Sequence, residues 1–186
     1  MKRQIAFAGL GALGSRIALS GCIPMDYLPV LIDDDRVGHE NIPTSAFGIN
    51  HVGALKANAV AQMLYLKYDI ESIVITKTLR DNRALKDCEL VIDTFDNPEA
   101  RSFTCGLNTL HAGLSASRSG DAIWDSSFPV PPREFERGNN PVCTNHLGTP
   151  IIAATATAAS LEIMRSLLSL DRRNVHITPA LNYIFF

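Results

Sequence analysis

The 186-residue chain contains only four cysteines, Cys22, Cys88, Cys105 and Cys143, and they lie far apart. No C-x-x-C pair occurs, so neither a four-thiolate zinc site nor a disulfide-dense scaffold is expected. Reduced thiols in a cytoplasmic protein are the simplest reading. Charge is also sparse: 17 basic against 19 acidic residues leave a formal net charge of -2. That balance provides no broad electrostatic footprint for nucleic acid or an anionic membrane, and neither is expected as a partner. No apolar run approaches the roughly 20 residues of a membrane-spanning helix. With 46% hydrophobic residues and no low-complexity tract or internal repeat, the chain reads as one globular domain over residues 1–186.

The N-terminus, MKRQIAFAGLGALGSRIALSGC, imitates a lipoprotein signal peptide, with basic residues, an apolar stretch and Leu19-Ser20-Gly21-Cys22. Arg16 opposes that reading, because a cation inside the apolar region disfavours insertion. A second interpretation uses every residue. Gln4 to Ala8 is a short apolar run of the kind found in a buried parallel strand, Gly9-Leu10-Gly11-Ala12-Leu13-Gly14 follows at once, and Ile17 and Ala18 then recur at helical spacing. A next apolar run, Leu28 to Ile32, ends in Asp33-Asp34-Asp35 and completes a βαβ unit.

Residues 38–52 are loop-like, and a helix is expected from Gly53 to Lys67, with Ala57, Val60, Ala61 and Leu64 on one face. Strands are expected at Ser72 to Thr76, Cys88 to Phe95, Leu107 to Leu114 and Ala122 to Phe128, and a short helix at Pro98 to Cys105. Trp124 and Phe128 flank Asp125 in an alternating run that reads as strand packing. Pro129 to Gly148 concentrates Pro, Gly and Asn in a long loop, functional or mobile. An Ala-rich helix over Pro150 to Leu168 and strands at Val175 to Ile177 and Tyr183 to Phe186 close the chain. The fold class is α/β, a Rossmann-like, mostly parallel sheet flanked by helices.

Three glycines after a strand and before a helix offer a tight turn (Gly9), a close backbone approach (Gly11) and close helix packing (Gly14). A phosphate then meets backbone amides and the helix dipole. The plainer alternative is a tight strand-to-helix turn. Asp33, at the end of the next strand, is placed to accept hydrogen bonds from ribose hydroxyls. His39, His51 and His111 show no metal-ligand spacing.

The segment from Asp33 to Lys56, DDDRVGHENIPTSAFGINHVGALK, narrows the choice of nucleotide. It resembles the ThiF/MoeB/HesA family of ubiquitin-activating-enzyme-like adenylating proteins, whose pattern is Asp-x-Asp-x-Val, an Asn, an Arg-Gln pair and Val-Gly-x-x-Lys. Asp33, Asp35, Val37, Asn41, Val52, Gly53 and Lys56 match it. Asp93-Thr94-Phe95-Asp96-Asn97 with Arg101, and Gly148-Thr149-Pro150 leading into a helix with Glu162, resemble the later parts of the family.

The resemblance implies ATP-dependent adenylation of a carboxylate, usually the C-terminus of a small β-grasp protein (a sulfur carrier or ubiquitin-like protein), with Mg²⁺ and in a homodimer. It assigns phosphate to the glycine loop and ribose to Asp33. Asn41 and Lys56 would reach the phosphates, and Asp96 would position Mg²⁺ or the attacking carboxylate, with Asp35 and Asn97 beside them. Each has a plainer alternative: a solvated charge for Lys56, a turn for Asn41, a helix cap for the Asp96-Asn97-Pro98 step. Cys143 lies where relatives place a transfer cysteine, near Asn145 and His146, although isolated loop cysteines are more often inert. Cys22, Cys88 and Cys105 read as structural.

Where the family has Arg-Gln this chain has Thr44-Ser45, so a cation is missing, leaving slower adenylation, replacement by Arg36 or Arg101, or a nucleotide-binding scaffold. The family's N-terminal helical arm is not seen ahead of the first strand. An NAD-dependent oxidoreductase is a further alternative, resting on the glycine loop and Asp33 alone.

Overall fold

The computed structural model describes residues 2–115, 118–124 and 148–186. Arg3–Ala8 (β1) runs parallel to Tyr27–Ile32 (β2) on one side and to Leu90–Asp93 (β4) on the other. Ile73–Ile75 (β3) extends the sheet beyond β2, and Thr109–Leu114 (β5) adds to β4, both in parallel. Beyond β5 the direction alternates: Gly120–Ile123 (β6), Val175–Ile177 (β7) and Tyr183–Phe185 (β8) pair antiparallel. The order is β3-β2-β1-β4-β5-β6-β7-β8. Four parallel pairings thus stand against three antiparallel ones, so the sheet is the expected mostly parallel one, with an antiparallel extension at the β6–β8 edge. Five residues separate β5 from β6 and β7 from β8, as antiparallel neighbours allow, whereas a 19-residue helix (Thr149–Leu167) lies between β6 and β7.

The helices are Ala12–Ala18 (α1), Lys56–Tyr68 (α2), Pro98–Ser102 (α3) and Thr149–Leu167 (α4). β1 alternates faces. Ile5 and Phe7 join Leu13 and Ile17 of α1, Val60 and Leu64 of α2, and Ile152, Ala159 and Ile163 of α4 in the larger core. Ala6 and Ala8 face a smaller core with Val30, Ile32, Leu85 and Val91. Period-2 alternation with both faces covered accounts for the almost unbroken apolar character of these strands.

α2 begins three residues later than the glycine at Val52-Gly53 suggests. Gly53 is left-handed (φ 87°), and Leu55 is extended in an antiparallel bridge with Arg36 immediately before the helix. The rest of the helix follows its pattern, with Ala57, Val60 and Leu64 buried. It stops at Asp69, which adopts the left-handed conformation (φ 55°). The signal-like N-terminal segment is built into the fold as β1 and α1, with Ile5, Phe7, Leu10 and Ile17 fully buried. No helix among the described residues is long and apolar enough to cross a membrane.

Candidate functional site

In a sheet of this order the strand connections diverge between β1 and β4, and ligands of such folds lie at the carboxyl ends there. The glycine loop leaves β1 at that point. Gly9 has φ 86°, and its carbonyl accepts a hydrogen bond from the Thr94 hydroxyl at 2.8 Å. A Cβ on Gly14 would lie 2.0 Å from the Gly9 oxygen, so α1 rests directly on the loop. At Gly11 a Cβ would meet nothing within 4 Å, so the backbone there faces open space. Gly9 and Gly14 thus have separate local reasons, a positive φ and a close approach to the loop, while nothing in the chain itself crowds Gly11.

Asp33, at the end of β2, is 8% exposed. Its Oδ2 accepts the Leu10 N–H at 2.6 Å and its Oδ1 accepts the Asp35 N–H at 2.9 Å. One carboxylate therefore ties the glycine loop to the turn after β2. An ionised carboxylate has about four acceptor positions, so these two amides leave capacity for ribose hydroxyls. Burial pushes the Asp33 carboxyl above its ordinary value, opposed by nearby Lys56 and by the two amides.

Lys56 is the first residue of α2 and is 8% exposed. A cation at a helix N-terminus opposes the macrodipole, and burial penalises its charge further. Carboxylates compensate. Nζ lies 2.8 Å from Oδ2 of Asp35. Burial lowers the Lys56 pKa, but the charges of Asp33, Asp35 and Asp96 outweigh it and the net shift is upward. Asp96 itself is exposed. The expected residues Asp33, Asp35, Lys56 and Asp96 are thus one electrostatic cluster, drawn from β2, α2 and the exit of β4.

Two other expected residues have local duties. Asn41 accepts the Gly38 N–H through Oδ1 at 2.9 Å, shaping the 38–41 turn, and Asn97 caps α3 by accepting the Glu99 N–H at 3.0 Å. The alternative turn and cap roles are present in both cases. Asp33, Asp34 and Asp35 bring ligand oxygens within 4.8 Å of one another, a group that does not include Asp96.

At Thr44, where the resemblance would place an arginine, a cation comes close from another element. Arg16 of α1 donates from Nε to the Thr44 carbonyl at 2.6 Å. Of the two replacements considered, Arg36 donates to the Gly53 carbonyl at 2.7 Å, and Arg101 is buried against Asp93 with Nε 3.7 Å from Oδ2. Neither stands at Thr44. The signal for Arg16 was its charge within an otherwise apolar helix.

Arg16 also lines a cleft of about 360 Å³ between α1 and α4, with Ser20, Cys22, Ala156, Ser160 and Met164. Asp33, Lys56 and Asp96 are not in its lining, so the cleft is separate from the carboxylate cluster. Burial raises the Cys22 thiol pKa and raises that of Cys88 to about 11, as suits structural cysteines. Cys105 is exposed, at variance with a structural role, because α3 ends three residues before it. Cys143, Asn145, His146, Asp125 and Phe128 lie outside the described residues.

No protein-family model matches the chain, and neither does any curated protein sequence. Solved structures do match. The chain superposes on E. coli MccB solved with ATP at a TM-score of 0.76 and 12% identity, over 99% of this chain and 63% of MccB. MccB with AMPCPP and MccA gives a TM-score of 0.75 at 12% identity, over 100% and 63% of the two chains. PaaA gives 0.70 at 13% identity, over 99% and 63%.

The fold is shared with MccB and PaaA. It is one mixed α/β sheet, Rossmann-like and flanked by helices, and the chain spans less than two thirds of the length of those proteins. At this identity MccB and PaaA bear on the fold, and the chemistry rests on this chain's own residues.

Proposed function

We propose that the chain binds ATP at the carboxyl ends of β1, β2 and β4 and adenylates a carboxylate. The observation that carries this reading is Lys56: a buried ammonium at the start of a helix, paired with Asp35 and under the charges of Asp96 and of Asp33, the carboxylate that binds the Leu10 amide of the glycine loop. The carboxylates hold that cation charged and in place, where a polyanionic ligand would meet it. MccB solved with ATP and with MccA supports the reading, as do the ThiF/MoeB-like motifs.

In the reaction a substrate carboxylate oxygen attacks the α-phosphorus of ATP, the α–β phosphoanhydride bond breaks, and pyrophosphate leaves with its electron pair. Charge accumulates on phosphate oxygens, so the chain's task is mostly to place cations and donors around them. Backbone amides of residues 9–14 hold phosphate, Asp33 the ribose, and Lys56 and Asn41 the triphosphate. Asp96 orients Mg²⁺ or the attacking carboxylate. Mg²⁺, when bound, neutralises phosphate charge. An exposed carboxylate such as Asp96 fits a hard cation that takes one or two carboxylates together with phosphate oxygens.

The substrate is the C-terminus of a small β-grasp protein, a sulfur carrier or ubiquitin-like protein, met in the cytoplasm by a homodimer of this chain. The Cys143 thiolate then attacks the acyl-adenylate carbonyl, a thioester forms and AMP leaves with the electrons of the broken acyl–phosphate bond; a carrier adduct that free thiol cleaves, lost in Cys143→Ala, tests that step. The decisive experiment is ATP–pyrophosphate exchange with candidate carriers, compared between wild type, Lys56→Ala and Asp96→Ala. ATP binding without exchange on any carboxylate favours the second reading, a nucleotide-binding scaffold, which Thr44 in the family's arginine position supports. Tighter binding of NAD than of ATP in a calorimetric titration favours the oxidoreductase instead.

A further inference from the structure

Asp93 ends β4 and is completely buried. Its Oδ1 accepts the Phe95 N–H at 3.0 Å. Its Oδ2 gathers three groups: Thr104 Oγ1 at 2.8 Å, His111 Nδ1 at 3.0 Å and Arg101 Nε at 3.7 Å. His111, 2% exposed, is the registered neighbour of Asp93 on β5, while Arg101 and Thr104 come from α3 and the turn after it. With a carboxylate facing it, Nδ1 carries the ring proton and donates it.

A buried, charged cluster is a poor way merely to fill space. Desolvation costs several kcal/mol per ion, and apolar side chains of the same volume often do as well or better. What the cluster adds is direction. The bond from Phe95 N–H to Asp93 turns the chain as it leaves the sheet, and Thr94 is held in the same turn by Gly9. The next residue is Asp96.

We propose that Asp93 and His111, with Arg101 and Thr104, are positioning residues that fix the 94–97 turn and so aim the Asp96 carboxylate at the nucleotide. This rests on the nucleotide-binding reading of the site. None of the four touches the reacting atoms. His111 acts on Asp93, Asp93 on the Phe95 amide, and the turn on Asp96, whose charge is felt at Lys56.

The test is a double-mutant cycle on the full chain, with ATP and Mg²⁺ as the titrated ligand in isothermal calorimetry. His111→Leu is expected to weaken ATP binding about tenfold, within the range of coupled neighbours. His111→Asn, which keeps an N–H donor near the Nδ1 position, is expected to stay within about twofold of wild type. In an Asp96→Ala background, His111→Leu is expected to cost less than about twofold, because the group it positions is gone. An equal loss in both backgrounds assigns His111 a general structural role and overturns the inference, as does unchanged affinity in His111→Leu. If His111→Leu does not fold by circular dichroism, Asp93→Asn carries the same cycle, since it retains an oxygen for the Phe95 amide. A wild-type chain that binds no ATP overturns the nucleotide reading itself, before any variant is compared.

Discussion

The ammonium of Lys56 lies 2.8 Å from the carboxylate of Asp35, and it also feels the charge of Asp33, the carboxylate that ties the glycine loop to β2. Asp35 is largely exposed whereas Lys56 is not. An exposed partner is readily released, so the lysine can pass from Asp35 to a phosphate without leaving its place. Lys56→Met is accordingly expected to lower ATP–pyrophosphate exchange by roughly 100-fold, the size of losing one donor to a developing oxyanion. Circular dichroism of the variant should match wild type.

Asp33 makes a pH-dependent prediction. Its folded pKa is raised above the ordinary value of 3.8, chiefly by burial, with Lys56 the largest opposing influence. A raised folded pKa means that the contribution to stability is fully present below about pH 3.8 and is lost as pH rises through the folded pKa. The stability of wild type relative to Asp33→Asn should therefore fall as pH rises through that acid window in denaturant titrations. In Lys56→Met the Asp33 pKa, followed by carboxyl-carbon NMR, should rise further. A decrease on removing Lys56 would contradict the electrostatic coupling.

The glycines separate a ligand-binding loop from a mere turn. Ala at position 14 would put a methyl group 2.0 Å from the Gly9 oxygen and 2.6 Å from Thr94 Oγ1, so Gly14→Ala should destabilise the fold by about 1–3 kcal/mol, as overpacking does. Gly11→Ala meets no atom within 4 Å and should change stability by less than about 1 kcal/mol. Its added methyl group would occupy space that the nucleotide reading gives to phosphate. ATP affinity should thus drop about tenfold (about 1.4 kcal/mol) in Gly11→Ala with unchanged thermal stability. Unchanged affinity would favour the simple turn.

Much of this was readable in the chain itself. β1, β2 and β4 are short apolar runs ending in Gly or Asp, and α4 is an Ala-rich run ended by Glu162 and Arg165, so local pattern and fold agree. The carboxylate cluster was legible because its residues sit in spaced motifs. The pairing of Asp93 with His111 was not. Those residues are 18 positions apart and meet only through the register of β4 on β5, which no local pattern encodes. The alternation after β5 escaped for a similar reason, since β6, β7 and β8 are three or four residues long and carry little periodicity. Arg16 was visible as an anomaly, but its partner, the Thr44 carbonyl, lies 28 residues away.

Arg16 yields the last prediction. Its Nε is committed to the Thr44 carbonyl, the position where the ThiF/MoeB pattern has an arginine side chain, and burial lowers its pKa. A guanidinium remains charged at any physiological pH, so the cation persists there despite that shift. If Arg16 replaces the missing arginine, its charge acts on phosphate in the transition state more than in the bound ground state. Arg16→Leu should then reduce the exchange rate constant by roughly 10- to 100-fold while the Kd for ATP changes by less than about threefold, and Arg16→Lys should recover part of the rate. The opposite pattern, weaker ATP binding with an unchanged rate at saturation, would make Arg16 a contributor to ground-state binding only. Equal thermal midpoints in the two variants are needed for the comparison, because the loss of a side chain bridging α1 to the 44–46 loop lowers stability by itself, by about 1 kcal/mol for one hydrogen bond.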